Sequence, residues 1–310
     1  MFDELAHQLL PLYLFLIGTA AVGWLLGRLL PPSAPVRLGQ FLFWIGVPIG
    51  ILSFLRRADL SGGIWLAPAV AWAAIGSGLL LARTWLKSRQ QWHSSARGSF
   101  MLSSMVGNTG YLGYPVALAL VGESYFAWAL FYDMFGTVFG SYGLGSVLAS
   151  RYGGDDRPKV SPLKTLTRNP TLWAVPVGVL FRQVPLPEFG ERLLQGWAWM
   201  AVTLSLLLIG MRLGQLSSWH NFGRSLPAVG IKMVLVPLVW GSILAGLGLH
   251  GAPLLVMQLQ SAMPPAFGTL ILAETYNLDR DLTASALAIG SIGLLLTLPF
   301  WLWWHHTILQ

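Results

Sequence analysis

Residues 107–115 read Gly-Asn-Thr-Gly-Tyr-Leu-Gly-Tyr-Pro, and residues 261–268 read Ser-Ala-Met-Pro-Pro-Ala-Phe-Gly. Each stretch interrupts a run that is otherwise apolar, 98–121 and 251–276. Proline removes a helical hydrogen bond and clashes with the preceding turn, and glycine weakens a helix, so both stretches predict helices that break or unwind in mid-run. Free backbone groups at membrane depth are tolerated only where they are buried in protein or line a cavity. Two such breaks therefore point to an internal site, with half-helix N-termini that suit an anion. The alternative is a pair of ordinary proline kinks, with small residues for close helix packing.

The rest of the chain sets these runs in a membrane. Its 310 residues are 55% hydrophobic and only 10% charged, against about 25% charged in a soluble domain. The 15 Trp fit a chain with many headgroup-level positions. A bilayer-spanning helix needs about 20 mostly apolar residues. Ten runs qualify: 9–29, 36–55, 63–86, 98–121, 124–150, 168–182, 193–213, 225–247, 251–276 and 282–305. The sixth is short and carries Asn169, Pro170 and Pro176. The start, Met1 to Gln8, holds Asp3 and Glu4 and no Lys or Arg, so the first run reads as a retained helix and not a cleaved leader.

Positive charge tests this count, because basic residues concentrate on the cytoplasmic side. Of 19 Lys and Arg, 14 fall in the loops after runs 1, 3, 5, 7 and 9, while Arg56, Arg57, Arg182 and Arg192 lie on the other side and Lys232 inside run 8. Ten spans with both termini outside follow. The one long polar connection, 151–167, is then cytoplasmic and divides the chain into halves, 1–150 and 168–310. Five spans is an odd number, so two related halves face opposite ways, as in inverted-repeat carriers. The two broken runs are the fourth span of each half. The fold class expected is an all-α membrane protein of ten transmembrane helices, arranged as two inverted five-helix repeats.

Formal net charge is +7, but the basic residues sit between apolar runs instead of forming one patch, which argues against a nucleic-acid partner. The chain has no Cys, so disulfide and thiolate chemistry are excluded. His7, His93, His220, His250, His305 and His306 lie near span ends without acids at ligand spacing, so no metal site is expected. Ser103, Ser104 and Asp133 have no evident base or second acid nearby, which counts against an intramembrane enzyme. A channel or receptor of the same topology stays open.

The segments GNTGYLGYP (107–115), SAMPPAFGTLILAETYNLD (261–279), RNPTLWAVPVGVL (168–180) and LSLLLIGMRL (204–213) are similar, in order, to segments of the auxin efflux carrier family. The chain resembles a bacterial member of that family, related to the plant PIN carriers. The resemblance implies ten helices with both termini outside, in a bacterial inner membrane. It also implies spans 4 and 9 crossing at their prolines in a mobile domain, against a scaffold of spans 1, 2, 6 and 7. The function it implies is transport of a small organic anion by alternating access, with Asn108 meeting the substrate carboxylate. The substrate site expected comprises Asn108, Thr109, Gly110, Gly113, Pro115, Pro264, Pro265 and Gly268. Pro264-Pro265 departs from the single proline of the plant carriers, and the central loop is far shorter than theirs. Auxin is therefore a poor candidate; the resemblance to bacterial relatives, which are associated with dicarboxylates such as malonate or malate, implies a small organic anion and no more.

Charges at bilayer depth are costly and mark functional positions. Asp133, inside run 5, could bind and release a proton within the transport cycle, or serve as a structural hydrogen-bonded carboxylate. Lys232 is expected to snorkel to the interface, with attraction of the anion or charge coupling as the alternatives. Glu274 near the end of run 9 can reach water. The sequence offers no dense group of acidic, Asn and Gln side chains around the breaks. Proton coupling or uncoupled diffusion is therefore favoured over sodium. No cofactor is expected; the expected partners are the anion, the lipid bilayer, a coupling proton or sodium ion, and a second copy of the chain in a homodimer.

Overall fold

The computed structural model describes residues 2–153, 167–215 and 221–309, and among them every regular element is helical. Most of the expected connecting loop, 154–166, and His220 lie outside the described residues. The helices are α1 (Phe2–Leu29), α2 (Ser33–Arg57), α3 (Leu66–Leu86), α4 (Ser94–Met105), α5 (Gly113–Val121), α6 (Phe126–Phe131), α7 (Ser146–Tyr152), α8 (Pro170–Phe181), α9 (Glu188–Gly214), α10 (Phe222–Gly246), α11 (Gly251–Ser261), α12 (Phe267–Thr275) and α13 (Arg280–Leu309). Five of them, α2, α3, α9, α10 and α13, are long and apolar enough to cross a membrane. Tyr13–Leu29 within α1 and Pro170–Phe181 are shorter apolar helices. Largely exposed apolar side chains such as Leu247, Leu296 and Phe189 fit a chain whose solvent is lipid.

The chain forms two compact units, and each draws on both sequence halves. The first contains α1, α2, α8, α9 and residues Tyr114–Ala127, and so holds the helices of expected spans 1, 2, 6 and 7. Its tightest seam joins α1 to α9 through glycines spaced four apart on each helix. A Cβ at Gly23 would lie 2.2 Å from Leu207 O, one at Gly27 2.3 Å from Met211 O, and one at Gly210 2.1 Å from Ala20 O. This is the small-residue packing by which helices associate in lipid, where the apolar medium gives no hydrophobic drive to dock. Glu123 in this unit collects Arg57, Gln195 and Trp199.

The second unit contains Gly63–Gly113, α6 from Trp128 onward, α7, and α10 to α13. Helix α3 meets α4 where Gly78 leaves room, 2.5 Å from its Cβ position to Ser104 O. Between α6 and α7 the chain runs through π-helical turns, Tyr132–Val138 and Gly140–Gly145, and α10 contains another, Ile231–Leu235. Such turns widen a helix and recur at functional sites. Asp133 and Lys232 each lie in one of them.

Candidate functional site

The two breaks are present, and they meet. Helix α4 ends at Met105 and α5 begins at Gly113, while α11 ends at Ser261 and α12 begins at Phe267. Between these ends Val106 and Ala266 are extended, and Gly107 pairs with Pro265 in a single antiparallel bridge. Asn108 N donates to Pro264 O at 2.7 Å and Ala266 N donates to Val106 O at 3.0 Å. Neither proline can donate, and a proline pushes its predecessor toward extended backbone. The bonds that each helix loses are thus partly replaced across the crossing, as backbone away from water requires. Helix α13 supports the junction at Gly290, where a Cβ would lie 2.7 Å from Pro265 Cδ and 2.9 Å from Pro264 Cβ.

The glycines of the first break do something other than bend the chain. None of Gly107, Gly110 and Gly113 has a positive φ. Each instead admits a polar side chain from another helix. A Cβ on Gly107 would meet Lys232 Cε at 2.9 Å and Nζ at 3.1 Å; on Gly110, Asp133 Oδ2 at 3.1 Å; on Gly113, Gln260 Oε1 at 2.2 Å. One short segment therefore gathers an ammonium, a carboxylate and an amide from three different helical segments.

Asp133, 5% exposed, accepts a hydrogen bond from Thr109 Oγ1 at 2.5 Å. Lys232 corrects the sequence reading: it does not snorkel. It is 3% exposed, and its Nζ donates to Ser261 O, the last carbonyl of α11. A helix C-terminus presents unpaired carbonyls and partial negative charge, so a cation is held there. Glu274 reaches outward, as expected, and pairs with Arg280 at 2.9 Å.

Among the described residues, several buried polar atoms at and near the crossing have no hydrogen-bond partner: Asn108 Nδ2, Ser103 Oγ, and both amide atoms of Gln258 and of Gln260. Asn108 is 4% exposed and the two glutamines 0%. Buried polar groups in native proteins are nearly always paired, so each orphan asks for an explanation. Gln258 lies against Gly241, with Nε2 3.3 Å from its Cβ position, away from the break. Gln260 lies on it.

The remaining expected residues are placed as follows. Gly268 is in the first turn of α12 beside open space. Pro115 departs from expectation. It sits in the first turn of α5, where a missing N–H costs nothing, and the interruption lies upstream at 106–112. The sequence reading that no dense cluster of acidic, Asn and Gln side chains surrounds the breaks is also corrected. Asn108 and Thr109 lie in the first break, and Asp133 and Gln260 reach it from other helical segments at Thr109, Gly110 and Gly113, which removes the ground for setting sodium coupling aside. Gln260 was missed because it lies one turn before the prolines. Its signal was legible in Gln258-Leu259-Gln260-Ser261, four residues with two amides inside an apolar run.

The profile of a family described as membrane transport protein matches residues 6–154 and 159–302. The chain belongs to that family, the auxin efflux carrier-like transporters. It is 29% identical to an uncharacterized transporter of Methanothermobacter thermautotrophicus, over 85% of this chain and 87% of that one. A second uncharacterized transporter, from Methanocaldococcus jannaschii, is 31% identical over 66% of this chain and 68% of its own. The uncharacterized transporter YfdV of Escherichia coli is 26% identical over 63% of each chain. The protein is accordingly a membrane-embedded member of a transporter family.

Proposed function

We propose that the protein is a secondary transporter of a small organic carboxylate, and that the crossing of the two broken helices is its substrate site. The observation that carries this reading is Asn108, a buried amide with an unpartnered donor, fixed through its own backbone N–H to the opposite break. An amide N–H in a dry site is suited to a carboxylate oxygen, and the first turn of α12 adds backbone donors. Alternating access in an elevator-like manner follows from the same reading. The crossing, Asp133 and Lys232 all belong to the second compact unit, which would carry the site as one body.

The ten-span plan, with two inverted repeats and both termini outside a bacterial inner membrane, completes the proposal. The charge distribution supports it, as do the helices found at each of the ten apolar runs. Because the chain has no Cys, Ser61→Cys should label from outside with an impermeant reagent and Ser88→Cys should not. Asp133, fastened to Thr109, is assigned a proton-linked role.

Uptake of radiolabelled malonate and malate into proteoliposomes tests the function. Saturation together with acceleration by unlabelled anion on the far side is the carrier result. Uptake that neither saturates nor shows counterflow would instead indicate a channel.

A further inference from the structure

The C-terminal end of α3 carries a cluster that the crossing does not use. Residues 87–93 turn back on the helix, with Arg89 N donating to Leu86 O and Trp92 N to Arg89 O, both at 3.1 Å. The turn lays Trp92 against Trp85 edge to face, with ring centroids 5.4 Å apart. Phe100 of α4, wholly buried, anchors the pair: it stacks on Trp85 at 4.6 Å and meets Trp92 edge-on at 5.8 Å. Each indole carries a guanidinium. Arg89 Cζ lies 5.1 Å from the Trp85 ring centroid, and Arg224 Cζ, from the first turn of α10, lies 5.4 Å from that of Trp92. The start of α10 is itself fixed, since buried Ser225 Oγ donates to Leu282 O of α13 at 2.9 Å. Both arginines are exposed, and among the described residues neither has a carboxylate partner. The acids of the same unit hold other partners, Asp133 with Thr109, Asp279 with Leu282 N and Glu274 with Arg280, while Asp281 makes no ion pair among the described residues and Asp155 and Asp156 lie outside them. Arg83, Lys87 and Arg97 add positive charge to this end of the unit.

We propose that this cluster is a headgroup site for an anionic phospholipid of the surrounding bilayer. Helix α3 is long and apolar enough to span a membrane, so the indoles at its end stand at headgroup depth, where Trp concentrates. Basic residues at that depth attract anionic lipids. A phosphodiester matches the planar guanidinium fork, which can engage it through two parallel hydrogen bonds. The rings hold each fork in place, so less side-chain freedom is lost on binding. Arg224 also stands in the first turn of a helix, where the dipole is positive, and an anion there relieves both charges. An aromatic box with empty faces would instead suit the quaternary ammonium of a choline headgroup. Here each indole already faces a cation, which disfavours that ligand and leaves an anionic headgroup. Only the placement of the α3 end at the bilayer boundary is needed; the transported substrate plays no part.

Native mass spectrometry of the full chain in detergent, titrated with phosphatidylglycerol or phosphatidylcholine, tests the site, and melting temperature in the same mixtures is a second readout. Wild type should retain phosphatidylglycerol at least about tenfold more tightly than phosphatidylcholine and be stabilised by the first alone. Arg89→Gln and Arg224→Gln should each weaken phosphatidylglycerol binding about fivefold and leave phosphatidylcholine binding unchanged. Arg89→Lys with Arg224→Lys keeps both charges, and with them insertion and orientation, but loses the forks; its binding should fall between wild type and the double glutamine variant. Arg83→Gln with Lys87→Gln removes two cations from the same helix end that are not seated on these rings, and should weaken binding far less. Equal retention of the two lipids by wild type overturns the inference. A loss in the Arg83 and Lys87 pair as large as in the Arg89 and Arg224 pair overturns it too, by reducing the site to a diffuse positive surface. Stabilisation by free glycerol phosphate as great as by phosphatidylglycerol would assign the cluster to a soluble anion, with the same consequence. All of these outcomes leave the transporter reading where it stands.

Discussion

The two breaks solve one backbone problem by different means. At 262–266 the interruption is made by Pro264 and Pro265, whose rings are held by Gly290 of α13. Its polar groups, Gln260 and the Ser261 carbonyl, come from the helix end that precedes it. At 106–112 the interruption carries its own chemistry, Asn108 and Thr109, and its glycines make room for Lys232, Asp133 and Gln260. On the proposed reading the proline break supplies shape, and the glycine break supplies the ligand-binding surface. A Cβ added at the first should meet rigid rings and cost stability. One added at the second should meet the far ends of flexible side chains and cost function.

That contrast can be broken in order of expected effect. Gly290→Val should be the most severe, because the added atoms meet proline rings that cannot rotate away. Overpacking of this kind costs about 1–3 kcal/mol, so a lower melting temperature should accompany loss of uptake. A stable, active Gly290→Val would show that the proline pair is not held as described.

Asp133→Asn keeps the size and the ability to accept from Thr109 but cannot titrate. Uptake should persist at a reduced rate and lose its dependence on pH across the range in which wild type responds. An unaltered pH profile would assign Asp133 to structure.

Pro115→Ala should be the mildest of these changes. The proline stands in the first turn of α5, where alanine is equally at home, and stability should shift by less than about 1 kcal/mol. An effect as large as that of Gly290→Val would place the working break at Pro115 after all.

Much of the architecture was legible because it depends on periodicity and composition. Each apolar run contains a helix, and both interrupted runs are interrupted in the structure. What escaped were relations between distant positions. Gly107, Gly110 and Gly113 read as helix breakers, since nothing local says which side chain a missing Cβ will admit. Thr109 and Asp133 are 24 residues apart, and Lys232 meets Ser261 across two helices. A lysine inside an apolar run looks the same whether it will reach the interface or cap a buried helix end. The π-helical turns at Asp133 and Lys232 were not read from the sequence either. Pro115 misled for a simpler reason. Proline ends some helices and starts others, and the three glycines before it shift the interruption upstream.

Malonate affinity of purified Asn108→Ala and Asn108→Asp, at melting temperatures equal to wild type, tests most directly the claim that the glycine break binds the anion. A hydrogen bond to a charged group contributes about 1.5–3 kcal/mol. Asn108→Ala should therefore weaken binding roughly 10- to 100-fold, and Asn108→Asp should weaken it further by setting a carboxylate against the ligand. Wild-type affinity in Asn108→Ala would contradict the account and move the site away from this break. Affinity preserved in Asn108→Asp would contradict an anionic ligand altogether.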